Sequence, residues 1–118
     1  MILIVEDDKA SYTLLKFVLK KSNFEIIWVN NGEDAIFACK ENSGIELVLM
    51  DISLPSISGY GAAKEIKKFN PNLPIIAQTA FAFIGDREKA MSAGCDDYIS
   101  KPIKQEILLE KVSKFLSN

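Results

Sequence analysis

The sequence predicts an α/β domain built as (βα)5: a doubly wound parallel sheet with helices on both faces. Three observations predict it. Short β-rich apolar runs alternate with longer segments of helical spacing along the whole chain. Turn-forming residues stand where the two kinds of segment meet. Each connection is long enough to carry a helix, which makes consecutive strands parallel and their crossovers right-handed.

The first strand is residues 2–5, an unbroken apolar run of the kind a central strand buried on both faces requires. A helix over 9–21 follows, then a strand over 25–29. Gly32 precedes a second helix over 33–41, and the third strand, 47–50, is again continuously apolar. A third helix over 60–69 is closed by Asn70-Pro71 and Leu73-Pro74, because proline cannot continue a helix. The fourth strand is 75–77 and the fourth helix 84–93, with Gly94 placed as a C-cap. The fifth strand is 97–99 and the last helix 104–116, where Ile107, Leu108, Val112, Phe115 and Leu116 are expected on one buried side.

The chain has 118 residues, 48% of them hydrophobic and 25% charged, which predicts one compact globular domain over 1–118. Fourteen Lys and Arg stand against sixteen Asp and Glu, and no basic stripe is present, which argues against direct nucleic-acid binding. Two cysteines, Cys39 and Cys95, are too few for a disulfide framework and fit core thiols in a reducing, cytoplasmic compartment. Apolar runs as short as Met1 to Val5 fall far below the roughly 20 residues of a membrane span, so no membrane insertion is expected. An acidic cluster follows that run at once, unlike a signal peptide. With no histidine, the chain has no Ser-His-Asp or Cys-His catalysis and no imidazole zinc site; nor can it carry a phosphohistidine of its own.

In an open parallel sheet, the functional crevice lies beyond the carboxyl ends of the strands. Those ends carry Glu6, Asp7 and Asp8 after the first strand, Asp51 after the third, Thr79 after the fourth and Lys101 after the fifth. Two like charges about 4 Å apart repel by roughly 4 kcal/mol at an effective dielectric near 20, so converging carboxylates call for a cation. With only oxygen donors to offer, Mg²⁺ or Mn²⁺ is the expected guest. The expected ligands are Asp7 and Asp51 directly, Glu6 directly or through water, and a backbone carbonyl near Ser53. Each residue taken alone has a plainer reading. Glu6-Asp7-Asp8 can be a solvated loop capping a helix, Asp51 a turn-former before Pro55, Thr79 a turn hydroxyl and Lys101 a surface lysine. Their coincidence at one sheet edge favours a site.

Over essentially its whole length the chain resembles the receiver domain of the two-component response-regulator family. The matching stretches are Ile4-Val5-Glu6-Asp7-Asp8; Leu49-Met50-Asp51 with Pro55 and Gly59; Gln78-Thr79-Ala80; and Ala93-Gly94-Cys95-Asp96-Asp97-Tyr98 running into Ser100-Lys101-Pro102. The resemblance implies a flavodoxin-like five-stranded sheet in the order 2-1-3-4-5. It implies Asp51 as phosphoryl acceptor, Glu6 and Asp7 as the acidic pocket for Mg²⁺, and Thr79 and Lys101 as ligands of phosphoryl oxygens. Tyr98 matches an aromatic switch position, against the plainer reading of half-buried core; Ala80 matches a small residue at the phosphoryl entrance, and Lys101-Pro102 a bond commonly cis. The implied donor is a sensor histidine kinase or histidine phosphotransfer domain.

The implied output is a downstream effector protein or domain, or a homodimer, acting on a surface of the fourth helix, fifth strand and fifth helix. The resemblance also implies slow self-hydrolysis, because Ser53 and Phe81 match the two positions that tune phosphoryl lifetime in that family and neither is an acid or amide placed to orient water. The apolar stretch Ala80-Phe81-Ala82-Phe83-Ile84 is a second candidate binding face. A flavodoxin-like ligand binder would carry a Gly/Ser/Thr-rich phosphate loop after the first strand, where this chain has carboxylates. A haloacid dehalogenase-type phosphatase would want an acid where Ser53 stands, and a cap domain. A receiver-shaped interaction module that is never phosphorylated stays open as the alternative. Beyond Leu116 only Ser117 and Asn118 remain, which fits either a stand-alone receiver or a piece of a longer chain such as a hybrid kinase.

Overall fold

A computed structural model describes residues 1–80 and 85–116. Five strands, β1 (Ile2–Val5), β2 (Ile26–Val29), β3 (Leu47–Asp51), β4 (Ile75–Thr79) and β5 (Asp97–Ser100), pair in parallel in the order β2-β1-β3-β4-β5. Helices α1 (Lys9–Leu19), α2 (Gly32–Glu41), α3 (Gly59–Phe69) and α4 (Asp86–Ser92) make the crossovers, and α5 (Gln105–Phe115) follows the last strand. The expected (βα)5 architecture and strand order are therefore observed.

Strand pleating divides the core into two layers. Leu3, Val5, Val48, Met50, Ile75 and Ala77 point to one side, against Ala35 and Cys39 of α2, Ala62, Ala63 and Ile66 of α3 and Ala90 of α4. Ile2, Ile4, Leu47, Leu49, Ile76 and Ile99 point to the other, against Leu15, Val18 and Leu19 of α1 and Leu108 and Val112 of α5. β1 is completely buried and so is β3 up to Met50, which accounts for their unbroken apolar runs. Both cysteines are free and buried, and loss of hydration pushes each thiol up to about 11.

Several details differ from the sequence expectation for identifiable reasons. The helix expected over 9–21 gives way after Leu19 to a 3-10 turn, and Asn23 at φ 61° ends it in the left-handed conformation that asparagine tolerates. β3 and β4 run on to Asp51 and Thr79, because Ile52 N–H still donates to the Gln78 carbonyl and so continues the ladder. The expected fourth helix began at Ile84, which lies outside the described residues; α4 is described from Asp86, and Gly94 at φ 94° closes it as expected. There the Gly94 and Cys95 N–H groups return to the carbonyls of Met91 and Ala90. On α5, Leu108 and Val112 are buried, as is Leu116 just past its end, whereas Ile107 is 40% exposed, because its position is rotated one residue off that stripe.

Candidate functional site

Register fixes where each strand-end side chain points. Asp51 is the partner of Gln78, and Gln78 of Ile99; residues paired in register share a face of the sheet. Glu6 follows Ile4 by two residues, and Ile4 pairs with Leu49, two before Asp51. Glu6, Asp51, Gln78 and Ile99 thus form one row on the α1/α5 face, with Lys101 two residues beyond Ile99 on the same side. Thr79, one residue after Gln78, lies on the opposite face with Tyr98, whose partner is Ala77.

Lys101 ties the row together. Its Nζ lies 3.2 Å from Glu6 Oε1 and 3.5 Å from Asp51 Oδ2. Its backbone N–H donates to the Thr79 carbonyl at 2.7 Å, and the Lys101-Pro102 bond is cis. Glu6 is fully buried and Asp51 nearly so, whereas Asp7 is exposed. Burial first, then the hydrogen bond and charge of Asp51, push the Glu6 carboxyl up to about 7, against the Lys101 ammonium and the Asp8 N–H that favour its ionised form. Loss of hydration works against the Lys101 charge, but Asp51 and Glu6 outweigh it and hold the ammonium above its ordinary value.

Glu6, Asp7 and Asp51 each offer a carboxylate oxygen within 4.8 Å of the others. An all-oxygen donor set of this size suits a hard divalent cation, so the residues present fit the expected guest. Asp8 stands apart from them. It caps α1, accepting from Ser11 N–H at 3.1 Å and Ser11 Oγ at 2.8 Å, and those bonds hold its carboxyl below the ordinary value. The Ser53 N–H donates to Asp51 Oδ1 at 3.0 Å. Thr79 is buried at the end of β4 and Ala80 beside it is exposed. Tyr98 is half-buried and lines a cavity of about 350 Å³ with Arg87, Lys104, Ile107 and Lys111, between β5 and the helices either side of it. Phe81 and Phe83, the candidate lifetime residue and binding-face aromatics, lie outside the described residues.

Three residues have parts in the site that the sequence reading did not assign. Gly59 sits so close to β3 that a Cβ there would collide with the Asp51 carbonyl, so only glycine lets α3 start beneath the site. Trp28, the single tryptophan, donates its indole N–H to the Glu6 carbonyl at 2.8 Å and stacks on Tyr12 at 4.1 Å. Gln78 is fully buried, and its carboxamide makes no hydrogen bond among the described residues. A glutamine inside Ile75-Ile76-Ala77-Gln78 was the visible signal: a polar residue in a strand that is otherwise apolar.

Comparison with known proteins gives the same picture. The family model described as the response regulator receiver domain matches residues 2–113. The polar-differentiation response regulator DivK of Brucella anthropi is 36% identical over 99% of this chain and 96% of its own. Among solved structures, the receiver domain of the Pseudomonas aeruginosa sensor histidine kinase PA1611, with a magnesium ion coordinated in its active site cleft, superposes with a TM-score of 0.89. It is 33% identical, over 99% of this chain and 97% of that one. A co-crystal structure of the Saccharomyces cerevisiae histidine phosphotransfer signaling protein Ypd1 and the receiver domain of its downstream response regulator Ssk1 gives a TM-score of 0.90. There the identity is 32%, over 97% of this chain and 86% of the other. A match this long, on a fold whose strand ends gather these side chains, makes the chain a member of the response-regulator receiver-domain family, whose work is two-component phosphorelay signalling.

Proposed function

We propose that residues 1–118 act as one receiver domain in which Asp51 accepts a phosphoryl group from a phosphohistidine on a sensor histidine kinase or histidine phosphotransfer domain. The observation that carries this is the buried pairing of Asp51 with Glu6 and Lys101: one nucleophilic oxygen, one acidic cluster and one ammonium at a single sheet edge. The donor must be another molecule or domain, since the 118 residues contain no histidine.

A lone pair on an Asp51 carboxylate oxygen forms the new O–P bond while the P–N bond to the donor imidazole breaks, its electron pair staying on nitrogen. The Ser53 N–H, already on Asp51 Oδ1, fixes the carboxylate and leaves Oδ2, 3.5 Å from the Lys101 ammonium, as the nucleophile. Lys101 and Thr79 hold phosphoryl oxygens and spread the charge of the transferring group. Glu6, Asp7, Asp51 and the Ser53 carbonyl would hold Mg²⁺ or Mn²⁺, which when bound neutralises negative charge between carboxylates and phosphate. The chain is thus no classical enzyme: it takes part in its own phosphoryl transfer and in slow self-hydrolysis, which Phe81→Glu or Phe81→Asn should accelerate.

Beside Lys101, a cavity of about 200 Å³ is lined by Ser11, Leu14, Leu15, Pro102 and Ile103. Leu14 is 51% exposed and Phe17, one helical turn further on α1, 64%. This apolar rim next to the nucleophile supports docking of the phosphohistidine donor over α1. Tyr98, in the cavity between α4 and α5, supports a second surface there for a downstream effector or a second copy, set by whether Thr79 is drawn to the phosphoryl group. Among the described residues no helix is long and apolar enough to cross a membrane, and we infer a cytoplasmic site of action from the two reduced, buried thiols.

The test is mass spectrometry after incubation with acetyl phosphate and Mg²⁺. Wild type gains one phosphoryl group; Asp51→Asn gains none. A wild type that takes up nothing, from acetyl phosphate or from a phosphorylated histidine phosphotransfer domain, would favour the interaction-module alternative.

A further inference from the structure

The Gln78 carboxamide sits in the middle of the charged row, fully buried and without a hydrogen bond among the described residues. A buried amide left in that state is costly and rare in native proteins, which calls for a use in another state of the molecule. Its neighbours say which. Gln78 pairs with Asp51 on one side and Ile99 on the other, and all three point to the α1/α5 face. Lys101 starts beyond β5, yet its Nζ reaches Asp51 on β3 and Glu6 on β1. With the strand order β1-β3-β4-β5, its side chain must cross the end of β4 on the face where Gln78 lies.

In this structure the ammonium serves as counter-ion to two buried carboxylates. A divalent cation on Glu6, Asp7 and Asp51 would take over that charge and repel the ammonium, which then needs a neutral acceptor close by. Gln78 offers a neutral acceptor, Oε1, on the strand that lies between Lys101 and Asp51. We propose that Gln78 is a positioning residue for Lys101, receiving its ammonium when a divalent cation enters and holding it over Asp51 until a phosphoryl oxygen arrives. The inference rests on the cation site proposed above. It assigns Gln78 no contact with phosphoryl group or metal.

The experiment is a double-mutant cycle read by Mg²⁺ binding, using calorimetry and the fluorescence of Trp28, whose indole is bonded to the Glu6 carbonyl. Gln78→Leu and the longer Gln78→Met are each made in wild type and in Lys101→Met. Without the acceptor, the displaced ammonium has only solvent, and Mg²⁺ affinity should fall roughly fivefold to tenfold in both Gln78 variants. In the Lys101→Met background the same changes should have no effect. Thermal unfolding of the metal-free protein should move the other way, with Gln78→Met at least as stable as wild type because an unpaired buried amide has been removed. Unchanged Mg²⁺ affinity in folded Gln78 variants, or an equal loss with and without Lys101, overturns the assignment. No Mg²⁺ binding by wild type would instead overturn the cation site itself.

Discussion

On the α1/α5 face, the carboxyl edge of the sheet carries Glu6, Asp51, Gln78 and Lys101, with the ammonium bridging two carboxylates. On the α2/α3/α4 face, the same edge carries Thr79 and Tyr98. Gln78 and Thr79 are covalent neighbours, yet the two-residue period of the strand sends them to opposite sides. One face is crowded with charge that must be balanced. The other has a hydroxyl and a half-buried phenol beside a cavity. On the proposed reading the charged face takes up the phosphoryl group and Thr79 relays its arrival to the other face, since the end of β4 is the element the two faces share. Substitutions on the charged face should therefore abolish or slow uptake, and replacement of Tyr98 on the other face should leave uptake intact while altering what the partner senses.

The largest effect belongs to Asp51. Replacing it with asparagine keeps the shape and removes the nucleophile, so uptake from acetyl phosphate should drop by a factor on the order of 10³ or more. Lys101→Met comes next, with a slowing of about 10²-fold for loss of one preorganised charge. It also leaves Glu6 and Asp51 without their counter-ion. Breaking a buried pair costs about 3–5 kcal/mol, but Lys101 retains 27% exposure, and solvent screening reduces the expectation to roughly 1–3 kcal/mol in urea unfolding at pH 8. At pH 5 the loss should be smaller, because Glu6 is then protonated. An equal loss at both pH values would mean that Lys101 contributes packing rather than charge.

A third prediction concerns protons. Glu6 titrates at about 7 in the folded chain against an ordinary 4.5, so between those values the folded state binds more protons than the unfolded one. Stability of the metal-free protein should therefore fall as pH rises through that window and level off above it. A cation needs the ionised form, so Mg²⁺ affinity should weaken by up to tenfold for each unit that pH drops below about 7. Both trends should disappear in Glu6→Gln. Asp97, on β5, behaves in the opposite sense. Burial would raise its carboxyl, but the Lys111 ammonium at 3.0 Å, the Tyr98 N–H and the Lys114 charge together hold it low. Its stabilising contribution is present above its ordinary 3.8 and is lost only as pH falls below that.

The alternation of periods made the sheet legible, and the chemistry of strand ends made most of the charged row legible. Leu47 to Met50 can be read as a doubly buried strand because nothing polar interrupts it. Glu6, Asp51 and Lys101 can be read as a group because parallel strands must end on one side. What could not be read depends on register. Whether Gln78 or Thr79 shares a face with Asp51 turns on a shift of one residue, which composition does not encode. Gly59 could be matched to the family pattern, but the reason only glycine fits there, the close approach of α3 to the Asp51 carbonyl, lies in the packing and not in the local sequence. Ile107 misled because helical periodicity locates a stripe only to within a residue, and the cavity beside β5 takes the flank of α5 rather than its centre.

The smallest effect on uptake is expected at Tyr98, and it is the most informative about the second face. Its ring packs against the core that also holds Ala77 and Ala90, and its position lines the cavity bordered by Arg87, Ile107 and Lys111. Tyr98→Phe retains the ring and removes only the hydroxyl, so phosphorylation of Asp51 should proceed within about twofold of wild type and stability should change by less than roughly 1 kcal/mol. Tyr98→Ala opens space in the half-buried layer and should cost about 2–3 kcal/mol, again with uptake preserved. What both should change is the ratio of partner affinities measured with and without phosphorylation. If Thr79 moves on phosphorylation and the phenol follows, that ratio collapses toward one in Tyr98→Ala and persists in part in Tyr98→Phe, where the ring can still turn. A ratio that survives both substitutions would place the readout elsewhere on the molecule and leave the charged face working alone.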